Sequence, residues 1–186
     1  MDTHETSAPA AHETAGLPDL EPAARRIAEL LGPVDDGALD GPTPCPDYAV
    51  RECTATSPDA ALPVLDDDWR EVLPRRLEEV AAAWRSPDAW TGMTRAGGIE
   101  LPGEVAGAVA LNELVIHGWD LARSTGQPYA AGEAELRSCE ALLAPDEDDP
   151  DRGGIFAPPV PVPADAPLLD RVIALSGRRP DWRPGG

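Results

Sequence analysis

Apolar residues recur at spacings of three and four along four stretches of the chain, and this period predicts amphipathic helices. A glycine closes the first, the longest and the last of these stretches, as expected at the end of a helix. In the last stretch Asp165 is a suitable N-cap. The pattern therefore predicts helices over about residues 19–31, 103–125, 132–143 and 164–177.

Prolines interrupt this pattern between the first two helices. Three of them make residues 42–46 extended, and a short helix is predicted to follow over residues 47–52. Residues 59–85 have helical spacing, but Pro74 should break or kink the helix that they form. Residues 86–102 have the pattern of a loop or a short hairpin.

The remaining stretches have no helical or strand period. Residues 1–17 are rich in Ala, Thr, Glu and Pro and are predicted to be a disordered tail. The acidic tract 144–151 is predicted to be a solvated loop, and prolines make residues 156–163 extended. We therefore expect a single helical domain of the all-α class over residues 18–183.

The composition restricts the partners that the protein can have. The 34 acidic and 15 basic residues give a formal net charge of −19, which repels phosphate backbones and anionic lipid. Nucleic acid and membranes are therefore not expected as partners. The N-terminal residues lack the basic start and apolar core of a signal peptide, and the three cysteines lack Cys-x-x-Cys spacing. These features predict a cytoplasmic protein with reduced thiols.

A polar pair interrupts one apolar stripe of the helix predicted over residues 103–125. Glu113 and His117 are four residues apart and therefore share a helix face with Val109 and Leu121. A carboxylate and an imidazole in such a stripe should be buried, and buried polar groups need partners. The two residues form a simple hydrogen-bonded pair, a half-exposed pair at the edge of a helix face, or two ligands of a divalent metal.

Asp120 follows His117 by three residues and lies on the same side of the predicted helix. Three roles are open to it: it could orient the imidazole, replace a missing metal ligand, or pair with Arg123 or a neighbouring helix. The other two histidines, His4 and His12, lie in the polar N-terminal stretch and are not expected to be ligands.

Three segments, in this order, resemble a known family. The chain is similar over most of residues 18–183 to actinobacterial metal-binding proteins related to mycothiol-dependent maleylpyruvate isomerase, within the DinB/YfiT-like group. The ordered set is specific for the family but not for one substrate. The segments are residues 42–52 (PTPCPDYAVRE), 112–126 (NELVIHGWDLARSTG) and 163–182 (PADAPLLDRVIALSGRRPDW).

The resemblance implies an up-down four-helix bundle with a divalent metal, zinc being the expected ion, near one end. Family members hold the metal with a histidine late in the second helix and with a Glu-x3-His motif, which Glu113 and His117 match. Thr56 stands where the first histidine is expected, so the implied site is degenerate; Cys53 is an alternative ligand. Pro58 shortens the second helix, and the proline-rich stretch after residue 155 is expected to form a C-terminal extension.

The resemblance also implies a function. Family enzymes use the metal with a low-molecular-weight thiol such as mycothiol, for thiol transfer or thiol-assisted isomerisation of a small-molecule substrate. We therefore expect a metal-dependent, mycothiol-type transferase or isomerase with reduced or lost activity. The alternative is a non-catalytic helical bundle that has lost the metal and serves as a binding or scaffold protein. A third hypothesis is a small-molecule-binding or biosynthetic accessory enzyme that uses the emptied cavity without metal.

Overall fold

The computed structural model describes residues 17–45, 49–51, 67–96, 99–145 and 157–185. All of the predicted N-terminal tail except Leu17, and most of the predicted acidic loop, lie outside these residues. Within them the chain is mostly helical, with five α-helices and one two-stranded sheet. The elements are α1 (Glu21–Leu31), α2 (Trp69–Trp84), β1 (Met93–Ala96), β2 (Ile99–Pro102), α3 (Gly103–Ser124), α4 (Glu133–Leu143) and α5 (Leu168–Leu175).

The helical class predicted from the apolar spacing is confirmed. Helices α1, α3 and α4 begin and end within two residues of their predicted bounds. The antiparallel hairpin of β1 and β2 pairs Met93 with Pro102 and lies where a loop or short hairpin was expected. The four-helix bundle and the proline-rich extension stay predictions. No helix in the described part of the chain is both long enough and apolar enough to cross a membrane.

Two sequence expectations about α2 and the segment before it differ from the structure. Of the break or kink expected at Pro74, the break does not occur, because α2 continues through this residue. Pro74 is near the helix start, and its missing N–H affects only a carbonyl of the first turn. Residues 49–51, the described part of the helix predicted over 47–52, instead form a β-bridge and a turn. The amide of Val50 donates to the carbonyl of Gly41 at 3.1 Å, because the proline-rich chain returns on itself.

Helix α5 begins one turn later than its pattern predicted. The amide of Ala166 donates to the carbonyl of Pro163 at 3.0 Å, so a turn precedes the helix. Pro167 disfavours helical geometry at Ala166 and itself occupies the N-cap position. Asp165 is therefore not the cap of α5.

Helix α3 lies at the centre of the packing. Helix α2 packs on α1, α1 on α3, α3 on α4 and α4 on α5. The buried residues Leu111, Val115 and Trp119 of α3 belong to a first core cluster with α4 and α5. Its residues Leu121 and Ala122 belong to a second core cluster with α1 and α2. The helix that carries Glu113 and His117 is therefore held on both sides by apolar burial.

Candidate metal centre

The polar ends of Glu113 and His117 meet on α3. Nε2 of His117 lies 3.0 Å from Oε2 of Glu113, within hydrogen-bond distance. The helix brings them together because side chains four residues apart lie on successive turns of one face. The proximity expected from their spacing is present, whereas their role as metal ligands stays a prediction.

The two side chains differ in burial, and the expectation that both are buried is wrong for Glu113. The Glu113 side chain is 54% exposed and that of His117 is 27% exposed. Positions four apart advance about 40° around a helix axis, because a turn contains 3.6 residues. The stripe therefore winds from solvent at Glu113 to the core at Leu121, which is only 1% exposed. The pair lies at the edge of the core, with His117 as its inner member.

A buried carboxylate lies behind the imidazole. Asp120 is fully buried, and its Oδ2 is 3.3 Å from Nδ1 of His117. The same carboxylate accepts three hydrogen bonds of 2.8 to 3.0 Å from Arg178, which follows α5. The guanidinium offers its donors in a planar fork that matches a carboxylate. Asp120 therefore contacts the histidine on one side and is neutralised by a cation on the other.

Of the roles open to Asp120, pairing with the neighbouring C-terminal segment is the one observed, together with its contact to His117. Arg123, the other candidate partner, donates instead to the carbonyl of Pro180 at 3.3 Å. Its guanidinium lies 5.2 Å from the ring centre of Trp119. Since both oxygens of Asp120 hold Arg178, a role as replacement metal ligand would require that pair to open.

Charges around Glu113 keep its carboxyl group ionised. Partial burial acts to raise the pKa of Glu113. The hydrogen bond and charge of His117, together with the charge of Arg178, outweigh burial and hold that pKa below its ordinary value. The negative charge of Asp120 opposes this only weakly. A carboxylate and an imidazole nitrogen thus face each other, and both are donor types that divalent ions accept.

The residues present fit a divalent ion in part. Glu113 and His117 supply two converging donors, whereas a catalytic zinc site normally has three protein ligands and an open position. In the described segments no group of three His, Cys, Asp or Glu side chains is close enough to hold a metal. Thr56, Cys53 and Pro58, on which the expected defect depends, lie outside the described residues. The pair therefore forms an incomplete site by itself.

Sequence reasoning did not identify Arg178 as part of this site. A buried aspartate requires a cation or several donors, which was a signal to search for one. Arg178 lies in the third segment of the family resemblance, but 58 residues separate it from Asp120. Helical spacing cannot reveal a contact of that separation.

Comparison with known proteins relates the chain to the family suggested by its motifs. Residues 52–122 match the model of the mycothiol maleylpyruvate isomerase N-terminal domain. The match includes Glu113, His117 and Asp120, and it ends within α3. The central part of the chain is thus similar to that domain.

Two curated relatives extend the similarity to most of the chain. They are the uncharacterized proteins Rv0738 and MT0763 of two strains of Mycobacterium tuberculosis. Each is 28% identical to this chain over 169 residues, which cover 82% of this chain and 91% of the relative. No solved structure matches the chain significantly.

Proposed function

We propose that this protein binds a divalent metal, zinc being the expected ion, through Glu113 and His117. It uses the metal with a low-molecular-weight thiol such as mycothiol, in thiol transfer or thiol-assisted isomerisation of a small molecule. The convergence of Nε2 and Oε2 at 3.0 Å carries this proposal. The match to the mycothiol maleylpyruvate isomerase N-terminal domain supports the reaction class.

His117 and Glu113 would each supply one donor atom to the metal. His117 offers Nε2 and turns Nδ1 towards Asp120, and Glu113 offers an ionised oxygen beside it. A divalent metal, when bound, lowers the pKa of a thiol or water and so supplies a nucleophile near neutral pH. The exposure of Glu113 leaves one side of the pair open to a thiol and a substrate.

The metal should be held weakly. Disturbing a group that only supports a ligand commonly costs roughly 10–100-fold in affinity, and a missing ligand should cost no less. With two identified ligands, activity is expected to be low unless a further donor completes the site. Stoichiometric zinc that survives dialysis against chelator would contradict weak binding and indicate such a donor.

A zinc titration monitored by calorimetry tests the proposal. The wild type should bind one ion weakly, and His117→Ala and Glu113→Gln should each abolish that binding. Glu104→Gln, which changes an exposed carboxylate in the first turn of the same helix, is the matched control and should bind as the wild type does. Zinc that His117→Ala still binds would belong elsewhere, for example to His4 and His12, and would contradict the proposed site.

The thiol is tested separately with cobalt in place of zinc. Mycothiol added to the cobalt-loaded wild type should produce a thiolate-to-cobalt absorption band, and a methylthioether of the same thiol should produce none. If the protein binds cobalt but shows no such band, the proposed thiol chemistry is contradicted, whereas the proposed metal site is not.

One observation favours the alternative, a non-catalytic helical bundle that has lost the metal. Glu113 and His117 satisfy each other directly at 3.0 Å, which is what a simple hydrogen-bonded pair would do. If this alternative holds, zinc binding by the wild type equals that by His117→Ala. The two functions therefore give opposite results in the same titration.

A further inference from the structure

We infer that Arg178 is a positioning residue for the metal ligand His117, acting through Asp120. This inference rests on the proposed function, because it assigns to His117 the role of ligand. The observation that carries it is a continuous chain of contacts from Arg178 to Asp120 and from Asp120 to Nδ1 of His117.

The contact between Arg178 and Asp120 is both buried and geometrically restrictive. Nε of Arg178 donates to Oδ1 at 2.8 Å and to Oδ2 at 3.0 Å, and Nη2 donates to Oδ2 at 2.8 Å. The Asp120 side chain is fully buried and that of Arg178 is 14% exposed. A forked guanidinium fixes the plane of the carboxylate, which a point charge such as lysine would not do.

The end of α5 fixes where Arg178 lies. The amide of Gly177 donates to the carbonyl of Ala174 at 3.0 Å, and that of Arg178 donates to the carbonyl of Ile173 at 3.2 Å. These two bonds are the pair that defines a Schellman motif, with Gly177 at the left-handed position (φ +83°). The motif ends the helix and turns Arg178 back onto α3.

The carboxylate that Arg178 holds faces the inner nitrogen of His117. Oδ2 of Asp120 lies 3.3 Å from Nδ1, an ion-pair distance without hydrogen-bond geometry, and its charge favours the ring orientation that turns Nδ1 inward. Nε2, the outer nitrogen, must carry the proton that it donates to the ionised Glu113, so a metal at Nε2 would replace that proton. A carboxylate behind the imidazole is the usual arrangement for fixing the orientation of a ligating histidine.

The neighbouring arginine provides a matched control. Arg179 pairs with Asp181 at 3.1 Å, but both side chains are about 70% exposed. Arg178→Gln and Arg179→Gln remove the same charge from adjacent positions, and only the first breaks the contact chain to His117. A general effect of lowering positive charge in the C-terminal segment would appear in both variants.

Two measurements on these variants test the inference. In a zinc titration, Arg178→Gln should lose roughly 10–100-fold in affinity, Arg178→Lys should lose less, and Arg179→Gln should match the wild type. The second measurement is the nitrogen NMR spectrum of the His117 ring in metal-free protein. The Nδ1 resonance should change in Arg178→Gln and stay unchanged in Arg179→Gln.

The outcomes separate this inference from the proposed function. If wild type binds no zinc but the His117 ring signals change only in Arg178→Gln, the positioning role stands and the metal function fails. If wild type binds zinc and Arg178→Gln matches Arg179→Gln in both measurements, the positioning role is overturned. A loss of zinc affinity without a change in the ring signals also overturns it, because Arg178 would then act by another route. If Arg178→Gln does not fold, the same two measurements on Arg178→Lys decide.

Discussion

The indole ring of Trp90 lies directly against Gly107: a Cβ atom on that residue would be 2.3 Å from Cζ3 of the ring. Trp90 also donates from Nε1 to the carbonyl of Trp84 at 2.7 Å, and the two indole rings meet edge to face. Because α2 ends at Trp84, these contacts join the end of α2 to the second turn of α3. They fix the part of α3 that leads into Glu113.

Gly107→Ala should destabilise the protein, because moving the tightly packed indole costs about 1–3 kcal/mol. The better helix propensity of alanine offsets about 1 kcal/mol of this cost, so the expected net loss is up to about 2 kcal/mol. Urea unfolding monitored by circular dichroism measures the change. Gly32→Ala is the control, since its Cβ would meet only the carbonyl of Glu29 at 3.6 Å. Equal stability of the two variants would contradict the tight contact.

A buried ion pair joins α1 to α4, and breaking it should be costly. Nη2 of Arg26 lies 3.0 Å from Oε2 of Glu135, with only 20% and 8% of the two side chains exposed. Arg26→Gln leaves the Glu135 carboxylate without its cation and should cost on the order of 1–3 kcal/mol. Its neighbour Arg25 pairs with Glu29 in solvent, with 71% and 67% exposed, so Arg25→Gln should cost about 0.5 kcal/mol or less. Similar midpoints in urea for the two variants would show that the buried pair contributes nothing.

The buried thiol of Cys139 predicts a loss of stability at alkaline pH. Burial, with a smaller contribution from the Glu135 carboxylate, raises the pKa of Cys139 from 9.0 to about 12. The folded protein therefore keeps a proton that the unfolded chain has lost. The contribution of the protonated Cys139 thiol to the free energy of unfolding is fully present below pH 9. It is lost between pH 9 and about 12, at about 1.4 kcal/mol per pH unit.

Cys139→Ala should flatten the dependence of stability on pH in that window. Burial also raises the pKa of Tyr129, and the charge of Cys139 is only the smallest cause of that rise, so most of the tyrosine contribution is common to both proteins. The variant is expected to be less stable than the wild type at neutral pH, because it leaves a small cavity in the core. Parallel stability curves of the wild type and Cys139→Ala from about pH 8 to 11 would contradict the raised pKa of Cys139. This range begins about one unit below 9.0, the ordinary pKa of the thiol.

Local signals in the sequence predicted most of the helices. The apolar period defines α1, α3 and α4, and a glycine marks the ends of α1 and α3, because a helix is built from contacts within a few residues. The start of α5 was also encoded locally, since Pro167 disfavours helical geometry at Ala166, but Asp165 was interpreted as the cap. The bridge between Pro42 and Ala49 depends on the chain returning on itself, which no periodicity describes.

The candidate site was predicted only as far as local spacing extends. Glu113 and His117 meet because they are four residues apart on one helix. Their exposure depends on what packs against each turn of α3, and this placed Glu113 partly in solvent. The bond from Arg178 to Asp120 depends on how α5 packs and ends, which involves residues far apart in sequence.

The family pattern predicts that Thr56→His will raise the affinity for zinc. Thr56 stands where relatives of the resembled family have their first metal histidine, and a second neutral imidazole would complete a three-ligand arrangement with Glu113 and His117. The expected gain is roughly 10–100-fold or more, the reverse of the usual cost of disturbing a metal site. Zinc titration of wild type and variant measures it, and Thr54→His, which adds the same side chain two residues away, is the matched control.

A second variant shows whether such a gain uses the proposed site. The combination of Thr56→His with His117→Ala should bind zinc no better than wild type, because the new imidazole would lack its partner on α3. A gain that survives the loss of His117 would mean that the added histidine makes an unrelated site. No gain in Thr56→His itself would mean that position 56 does not supply a ligand to the pair. The non-catalytic function would then account better for a Glu113–His117 pair that already satisfies itself at 3.0 Å.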